Sequence, residues 1–378
     1  MQRIHTNLGL VGLCWLVACG GGGGSPDAGP VDASRRDAQA DAAHDAAGLD
    51  ASVDGSVDAG FDASFDAGPP PDFTEPAGAD TDPFLGGAAA STGVDLSDGT
   101  SARFGGTIAA GGGNDTWADS DGYGFHVASE TRVQARLSFI ASSRIYSVAI
   151  HRADRHLVAY WAMSRSGQAR TTPMTLPVGD YFVHVAAAPP ALAAPEPYMV
   201  ELVAGSLPGC ASAASPGYTE IETAAALDSN DLRTVVLDGM PRITDSTGAS
   251  EVTGLSVVDA TPVAFEGVSG DAPTGADSYL DRDSYRVHTG ADVHELEVLL
   301  EHISADVNMD VMIFDAADGR LVGTGIAISD SPEHASAVVE PDHDYDVWVG
   351  ARDERRIGGD TALPLTYQAS ICGFGASR

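Results

Sequence analysis

Aspartates spaced two apart are the residues of this chain best suited to chemistry. Asp119 and Asp121 form one pair, and Asp281 and Asp283 another. Within a strand both members of a pair point the same way, so each pair could offer hard oxygen ligands to a divalent cation. Calcium takes about six to eight such oxygens. Asp306 and Asp310 could supply more from the next strand region, so the expectation is a calcium site made of Asp281, Asp283, Asp306 and Asp310. The first pair has no such companions. Solvated edge charges that discourage strand-to-strand association are the competing reading. His126 and His288 sit at matching positions after the two pairs, which points to a shared structural role. Tyr123, Tyr181, Tyr285 and Tyr345 could form an aromatic binding face. Packing, with each hydroxyl bonded locally, is the simpler expectation.

Catalytic motifs are missing from the sequence. His294-Glu-Leu-Glu starts like a zinc-protease helix, but His302 lies eight residues on, not four. Gly267-Val268-Ser269-Gly270 is one residue short of a nucleophile elbow. Neither a phosphate loop nor a paired-cysteine zinc spacing occurs. The reading is of a protein that is not an enzyme. Charge narrows it further: 54 acidic residues stand against 20 basic ones over 378 residues, for a net charge of -34, and every basic residue is Arg. Binding to nucleic acid or to an anionic lipid surface by bulk electrostatics is excluded. The acids gather in residues 20–75 (12 against 2 Arg) and 216–378 (30 against 9 Arg), while 76–209 hold 12 against 8 Arg.

Residues 1–18 read as an export signal, with Arg3 as the positive start and a short apolar core from Leu8 to Val17. It ends Leu16-Val17-Ala18-Cys19, which resembles the bacterial lipobox. The resemblance implies cleavage after Ala18 and diacylglycerol and palmitate on Cys19. Each buried methylene adds about 0.8 kcal/mol, so several acyl chains make the attachment permanent. Gly20 is not the Asp that retains enteric lipoproteins at the inner membrane, so the outer membrane is expected, with the folded part periplasmic or surface-facing. Residues 19–75 follow as an Asp-, Ala- and Gly-rich linker. Asp recurs there every four residues at 37, 41 and 45 and again from 50 to 66, a spacing that repels in a helix and does not suit a calcium loop. The expectation is a disordered acidic tether spanning roughly 40 Å. Export places Cys210 and Cys372 in an oxidising compartment, where an even count favours a disulfide over two free thiols.

The elements that must position these residues repeat. Asp119 to His126 answers Asp281 to His288, Val148-Ala-Ile150 answers Met312-Ile-Phe314, and Asp180-Tyr181 answers Asp344-Tyr345, at offsets of 162, 164 and 164. Duplication explains three matches in order. Each block alternates as a strand does, for example Val133, Ala135, Leu137 and Phe139, or Leu296, Val298 and Leu300. Asp154-Arg155 and Asp318-Gly319 read as hairpin turns. Helical periodicity is confined to one weak candidate over 221–227. The fold class is therefore all-β: two tandem antiparallel β-sandwiches, jelly-roll-like, over 76–209 and 210–378, with an expanded front to the second between Asp228 and Gly275. Cys210 precedes the second copy and Cys372 ends its last strand, so a bridge would close that sandwich.

These landmarks resemble the bacterial pre-peptidase C-terminal domain, whose strands follow the order G-x-I, D-x-D-x-Y-x-F, D-x-D-L, A-G-x-Y-x-V-x-V and Y-x-L. Gly105 to Ile108, Asp119 to Phe125, Val178 to Tyr181 and Tyr198 to Leu202 carry it in the first copy. Asp281 to Val287, Asp306 to Met312, Asp344 to Val349 and Tyr367 carry it in the second. The first copy departs at Ser143 to Ser147, which lack the acids. With the lipobox and the absence of Lys, the whole is similar to a myxobacterial surface lipoprotein. The resemblance implies a non-catalytic, lipid-anchored envelope protein whose modules bind a protein or polysaccharide. The alternative it implies is an accessory or inhibitory subunit of a secreted protease.

Overall fold

The computed structural model describes residues 69–76, 81, 88–109, 119–141, 144–155, 157–187, 195–220, 234–237, 240–243, 250–269, 279–302, 309–325, 333–352 and 365–376. Cys19, residues 20–68 of the acidic tether, the helical candidate at 221–227 and Asp306 lie outside them; the last residues assigned to the tether do not, since Phe73–Thr74 pair with Phe104–Gly105 as a strand of the first sandwich. Every regular element among the described residues is a strand. Those before residue 205 are β1 (Phe73–Thr74), β2 (Ala90–Leu96), β3 (Ser101–Ile108), β4 (Asp119–Val127), β5 (Thr131–Phe139), β6 (Tyr146–Arg152), β7 (Leu157–Ser164), β8 (Gln168–Arg170), β9 (Met174–Leu176), β10 (Gly179–Ala187) and β11 (Glu196–Ala204). Those after it are β12 (Tyr218–Thr219), β13 (Thr234–Leu237), β14 (Met240–Ile243), β15 (Glu251–Val257), β16 (Val263–Ser269), β17 (Tyr279–Thr289), β18 (Glu295–His302), β19 (Met309–Asp315), β20 (Leu321–Gly325), β21 (Glu333–Val338), β22 (Asp344–Arg352) and β23 (Leu365–Phe374).

Sheet order exposes the duplication. The first half has one sheet ordered β1-β3-β11-β5-β8, with β9 also on β5, and a second ordered β2-β4-β10-β6-β7. The second half repeats these as β12-β16-β23-β18-β21 and β15-β17-β22-β19-β20, and β20 also pairs β21, so its strands form one continuous path. Each half has its own core. In β5, Val133, Ala135, Leu137 and Phe139 turn inward to meet Tyr123, Phe125, Val183 and Val185 of the facing sheet. In β18, Leu296, Val298 and Leu300 do the same against Tyr285, Val311 and Val347. Burying one such side chain stabilises by roughly 1.5–3 kcal/mol, which is why strict alternation fixes the faces.

The expanded front is shorter than the sequence matches suggest. Phe73-Thr74-Glu75 answers Tyr218-Thr219-Glu220 at an offset of 145, and Thr92-Gly93 answers Thr253-Gly254 at 161. Both threonines bridge the bulge in a parallel edge pair. Thr92 Oγ1 donates to Gly124 O and accepts from Val94 N; Thr253 Oγ1 donates to Arg286 O and accepts from Leu255 N. So β15 and β16 are the counterparts of β2 and β3, and the extra residues fall between Glu220 and Ser250, where the β13–β14 hairpin lies.

Gln134 of β5 and Glu295 and Glu297 of β18, outward residues that alternation alone would leave in solvent, are buried. Glu295 is fully buried between the halves. It accepts from Gln134 Nε2 (3.1 Å), Arg170 Nη1 (2.7 Å) and Ser336 Oγ (3.1 Å). Thr324 Oγ1 and Leu321 O also accept from Met163 N and Arg165 N across the boundary. The segment after β11 is tied at both ends: Arg132 donates to Leu207 O, and Glu297 accepts from Cys210 N at 2.7 Å. Removing one partner of a buried ion pair strands the other charge. Arg170→Ala is therefore expected to lower unfolding free energy by about 2–4 kcal/mol in denaturant titrations, the lower end reflecting the part of Arg170 that remains in water. Arg170→Ala with Glu295→Leu should recover much of it. A single variant within about 0.5 kcal/mol of wild type would show that the pair contributes as little as a surface one.

Candidate functional site

One aspartate of each pair, Asp121 and Asp283, folds inward. Asp121 and Asp283 sit on the core side of β4 and β17, the side that carries Tyr123 and Tyr285. Tyr198 Oη donates to Asp121 Oδ2 at 2.6 Å and lies 2.6 Å from Tyr123 Oη; Tyr367 Oη donates to Asp283 Oδ2 at 2.6 Å and lies 2.7 Å from Tyr285 Oη. Glycine makes this possible. A Cβ on Gly106 would come within 2.1 Å of Tyr123 Oη, and one on Gly267 within 2.3 Å of Tyr285 Oη. Gly267-Val268-Ser269, the near-miss for a nucleophile elbow, is thus interior β16 and makes room for a tyrosine pair. In the first half Thr81 Oγ1 extends the chain, 3.1 Å from Asp121 Oδ1 and 2.7 Å from Glu75 Oε1. A hydroxyl has one proton to give, so both contacts form when Asp121 is protonated and donates to Thr81, which donates to Glu75. Burial, aided by the charges of Glu75 and Asp119 and opposed by the Tyr198 hydrogen bond, pushes Asp121 up to about 8. The chain is a structural hydrogen-bond relay, buried from Thr81 inward and ending on the half-buried Glu75.

The four expected calcium ligands are not brought to one point. Asp283 pairs with Val349 and Asp310 with Gly350, one residue along the same strand, so their side chains leave opposite faces of the sheet. Asp283 is engaged by Tyr367, and Asp310 is fully buried on the other face. The side chain of Asp281 and all of Asp306 lie outside the described residues. Among the described residues no three of His, Cys, Asp or Glu are grouped so as to hold a metal. Residues two apart in one strand share a face, but which acids of neighbouring strands meet depends on register, which one strand alone does not carry. Cys210 and Cys372 do form a disulfide, with Cα atoms 5.3 Å apart.

The repeated tyrosines are buried. Tyr181 donates to Pro177 O at 2.9 Å, and Tyr345 Oη accepts from Glu340 N at 2.7 Å. Local bonding, not a binding face, is their role. His126 Nδ1 lies 2.7 Å from Asp180 Oδ1, and His288 Nδ1 lies 2.8 Å from Asp344 Oδ1, so both copies clasp β4 to β10, or β17 to β22, at the same corner. Sequence reasoning did not pair Tyr198 with Asp121 or Tyr367 with Asp283. The signal was there in the matched Gly106/Gly267 and Tyr198/Tyr367, which recur in both copies.

Beside the first His–Asp clasp lies a groove of about 440 Å³. Its walls are the Ala88–Asp95 edge and the Ala153–Arg155 turn, with Gly124 and Phe182 between and His126 and Asp180 at one end. That volume suits a small ligand or the end of a longer one, roughly 300–1,000 Å³ being usual.

By its strand order and its two cores this is an all-β protein of sandwich-like sheets. No family model and no curated protein matches the chain. Solved structures do. The pre-peptidase C-terminal domain of a collagenase from Bacillus anthracis is similar at 14% identity and a TM-score of 0.22, over 30% of this chain and 95% of that one. The periplasmic inhibitor of g-type lysozyme, PliG, from Aeromonas hydrophila is similar at 10% identity and 0.19, over 33% and 98%. The PBSX exported protein XepA is similar at 12% identity and 0.22, over 73% and 88%.

Proposed function

We propose that this is a non-catalytic, lipid-anchored protein of the outer membrane whose sandwich modules bind a protein or polymer of the envelope or its surroundings. One observation carries the binding reading: the paired acids that looked best suited to chemistry, Asp121 and Asp283, are engaged by core tyrosines, while the accessible groove of the first half is lined by side chains left at the surface. A catalytic constellation needs its nucleophile or base within reach of a substrate. Here Asp121 and Asp283 face the core instead. The anchor reading rests on Leu16-Val17-Ala18-Cys19, and the acidic tether after it would hold the folded part clear of the membrane.

Two measurements test the proposal. In fractionated cells Cys19→Ala is expected to move the protein from the detergent-soluble membrane fraction to the soluble one; persistence in membrane would rule out the anchor. The mature chain, used as bait on native envelope extract, should retain a saturable protein or polysaccharide partner. If nothing is retained above a bait-free control, the binding reading fails.

A further inference from the structure

The two halves meet through equivalent strands. By sheet order β5 answers β18, β7 answers β20 and β8 answers β21. Tyr198 and Tyr367, opposite Gly106 and Gly267, fix the register. Gln134 then answers Glu297, and Arg132 answers Glu295. Arg170, opposite Arg136, answers His334, opposite Leu299. Across the boundary β7 lies against β20 and β8 against β21, and the crossed contacts, β7 with β21 and β8 with β20, occur as well. There β7 and β20 run in opposite directions: Met163 N donates to Thr324 Oγ1 and, two residues on, Arg165 N donates to Leu321 O. Equivalent strands set side by side and antiparallel are related by a two-fold axis, as in an isologous dimer. Side chains obey the same axis. Arg170 of β8 meets Glu295 of β18 at 2.7 Å. The axis turns that contact into His334 of β21 facing Arg132 of β5. Burial holds His334 below its ordinary value, with Glu301 opposing the shift and the charge of Arg132 adding to it. Gln134 meets Glu295 at 3.1 Å. At the related place, between Arg132 and Glu297, runs the joining segment, whose Leu207 O and Cys210 N those two side chains hold.

An interface of this form could also join like halves, and its charges decide against that. Two first halves docked in this way would set Arg170 against Arg132 twice. Two second halves would set Glu297 against Glu295 twice. The mixed pair alone puts Arg170 on Glu295 and keeps like charges apart, with an uncharged imidazole facing Arg132. A buried charge set against its own sign loses its hydration and gains no partner, so repulsion selects as strongly as attraction does. We infer that the outer face of β5, β7 and β8 is a docking surface for the second half, built as a two-fold dimer interface and charged at Arg132, Arg170, Glu295 and Glu297 so that only the mixed pair forms. The segment from Gly205 to Cys210 is then a strap over an interface that stands without it, and the two halves act as one body. Nothing in this depends on the binding role above.

Cutting the strap tests it. A protease site inserted after Pro208 of the mature chain leaves Cys210 and its disulfide with the second half, so cleavage of the folded protein removes the covalent link between the halves and nothing else. Sized by light scattering in dilute salt at about 10 μM, the two pieces are expected to stay together as a one-to-one complex. Arg170→Glu, which sets acid against Glu295, should weaken that complex by about a hundredfold or more. Adding Glu295→Arg should restore most of the loss, because the pair is rebuilt with its signs exchanged. Circular dichroism melts of the uncut chain check that each variant folds. Should the exchanged pair not fold, Arg170→Gln decides instead: it removes a charge without adding a repulsion, and so should weaken the complex less than Arg170→Glu. Wild-type pieces that separate, a complex indifferent to Arg170→Glu, an exchanged pair that folds without restoring it, equal losses in the Gln and Glu variants, or pieces of either kind paired with themselves would each overturn the inference.

Discussion

Serine at both Cys210 and Cys372 should lower the melting temperature of the mature chain by roughly 5–15 °C. The bond closes a loop spanning 162 residues. On the chain-entropy model a loop of that size stabilises by about 5 kcal/mol, an upper guide because the unfolded chain keeps some structure. Its position adds a second effect. Cys210 lies on the segment joining the halves, and that segment crosses the outer face of β23 and β18. Ala213 N donates to Ser370 Oγ at 3.0 Å, and Gln368 Nε2 donates to Ala213 O at 3.2 Å. Losing the bond should therefore expose residues 205–217 to protease in the otherwise folded chain. Peptide mapping without reductant should find Cys210 linked to Cys372, and complete alkylation of both thiols would refute the link. A double-serine variant with unchanged melting and unchanged proteolysis would show that the neighbouring hydrogen bonds suffice.

Asp121→Asn should remove a large part of the loss of stability on raising pH. The folded carboxyl is held near 8, against 3.8 for the free group. From about pH 4 to pH 8 the folded chain thus keeps a proton that the unfolded chain has released. Stability from this group is complete below pH 4 and is lost as pH rises through 8. The gap sets an upper bound of roughly 6 kcal/mol between the two ends. Asparagine mimics the neutral acid: it still accepts from Tyr198 and can donate to Thr81, but has no proton to lose. Wild-type and variant unfolding free energies should converge near pH 4 and separate by several kcal/mol at pH 9, with the variant the more stable. Parallel curves across that range would mean that water reaches Asp121.

The pH window also marks where sequence reasoning stopped. Asp119-x-Asp121-x-Tyr123 was legible as a strand with its acids on one side, because side chains alternate with period two whatever the strand pairs with. Which side faced the core was not legible. A carboxylate is read as solvent-facing by default, and only the approach of Tyr198 from β11, under Gly106 of β3, makes an inward Asp121 tolerable. These partners come from strands 77 and 15 residues away in the chain. The same limit undid the four-acid calcium set, where a one-residue difference in register separates Asp283 from Asp310.

Sequence by itself therefore determined the all-β class and the buried tyrosines, from residue type and short-range spacing, the duplication, from motifs recurring in order, and the disulfide partners, from the count of cysteines beyond the signal and Cys19. Tertiary structure alone decided three further things. It buried Glu295 and Glu297, outward residues of β18, because the first half and the joining segment cover that face. It showed that the ion pair of Arg286 and Asp346 fills a space that Gly124 leaves open in the first half, which requires two strands to be laid side by side. It brought Arg155 and the residues of β2, some 60 positions apart in sequence, to the two sides of one groove over β4 and β10. Spacing along a chain carries information about one strand at a time, whereas a site is made by register between strands, and register is fixed by the packing of the whole sheet.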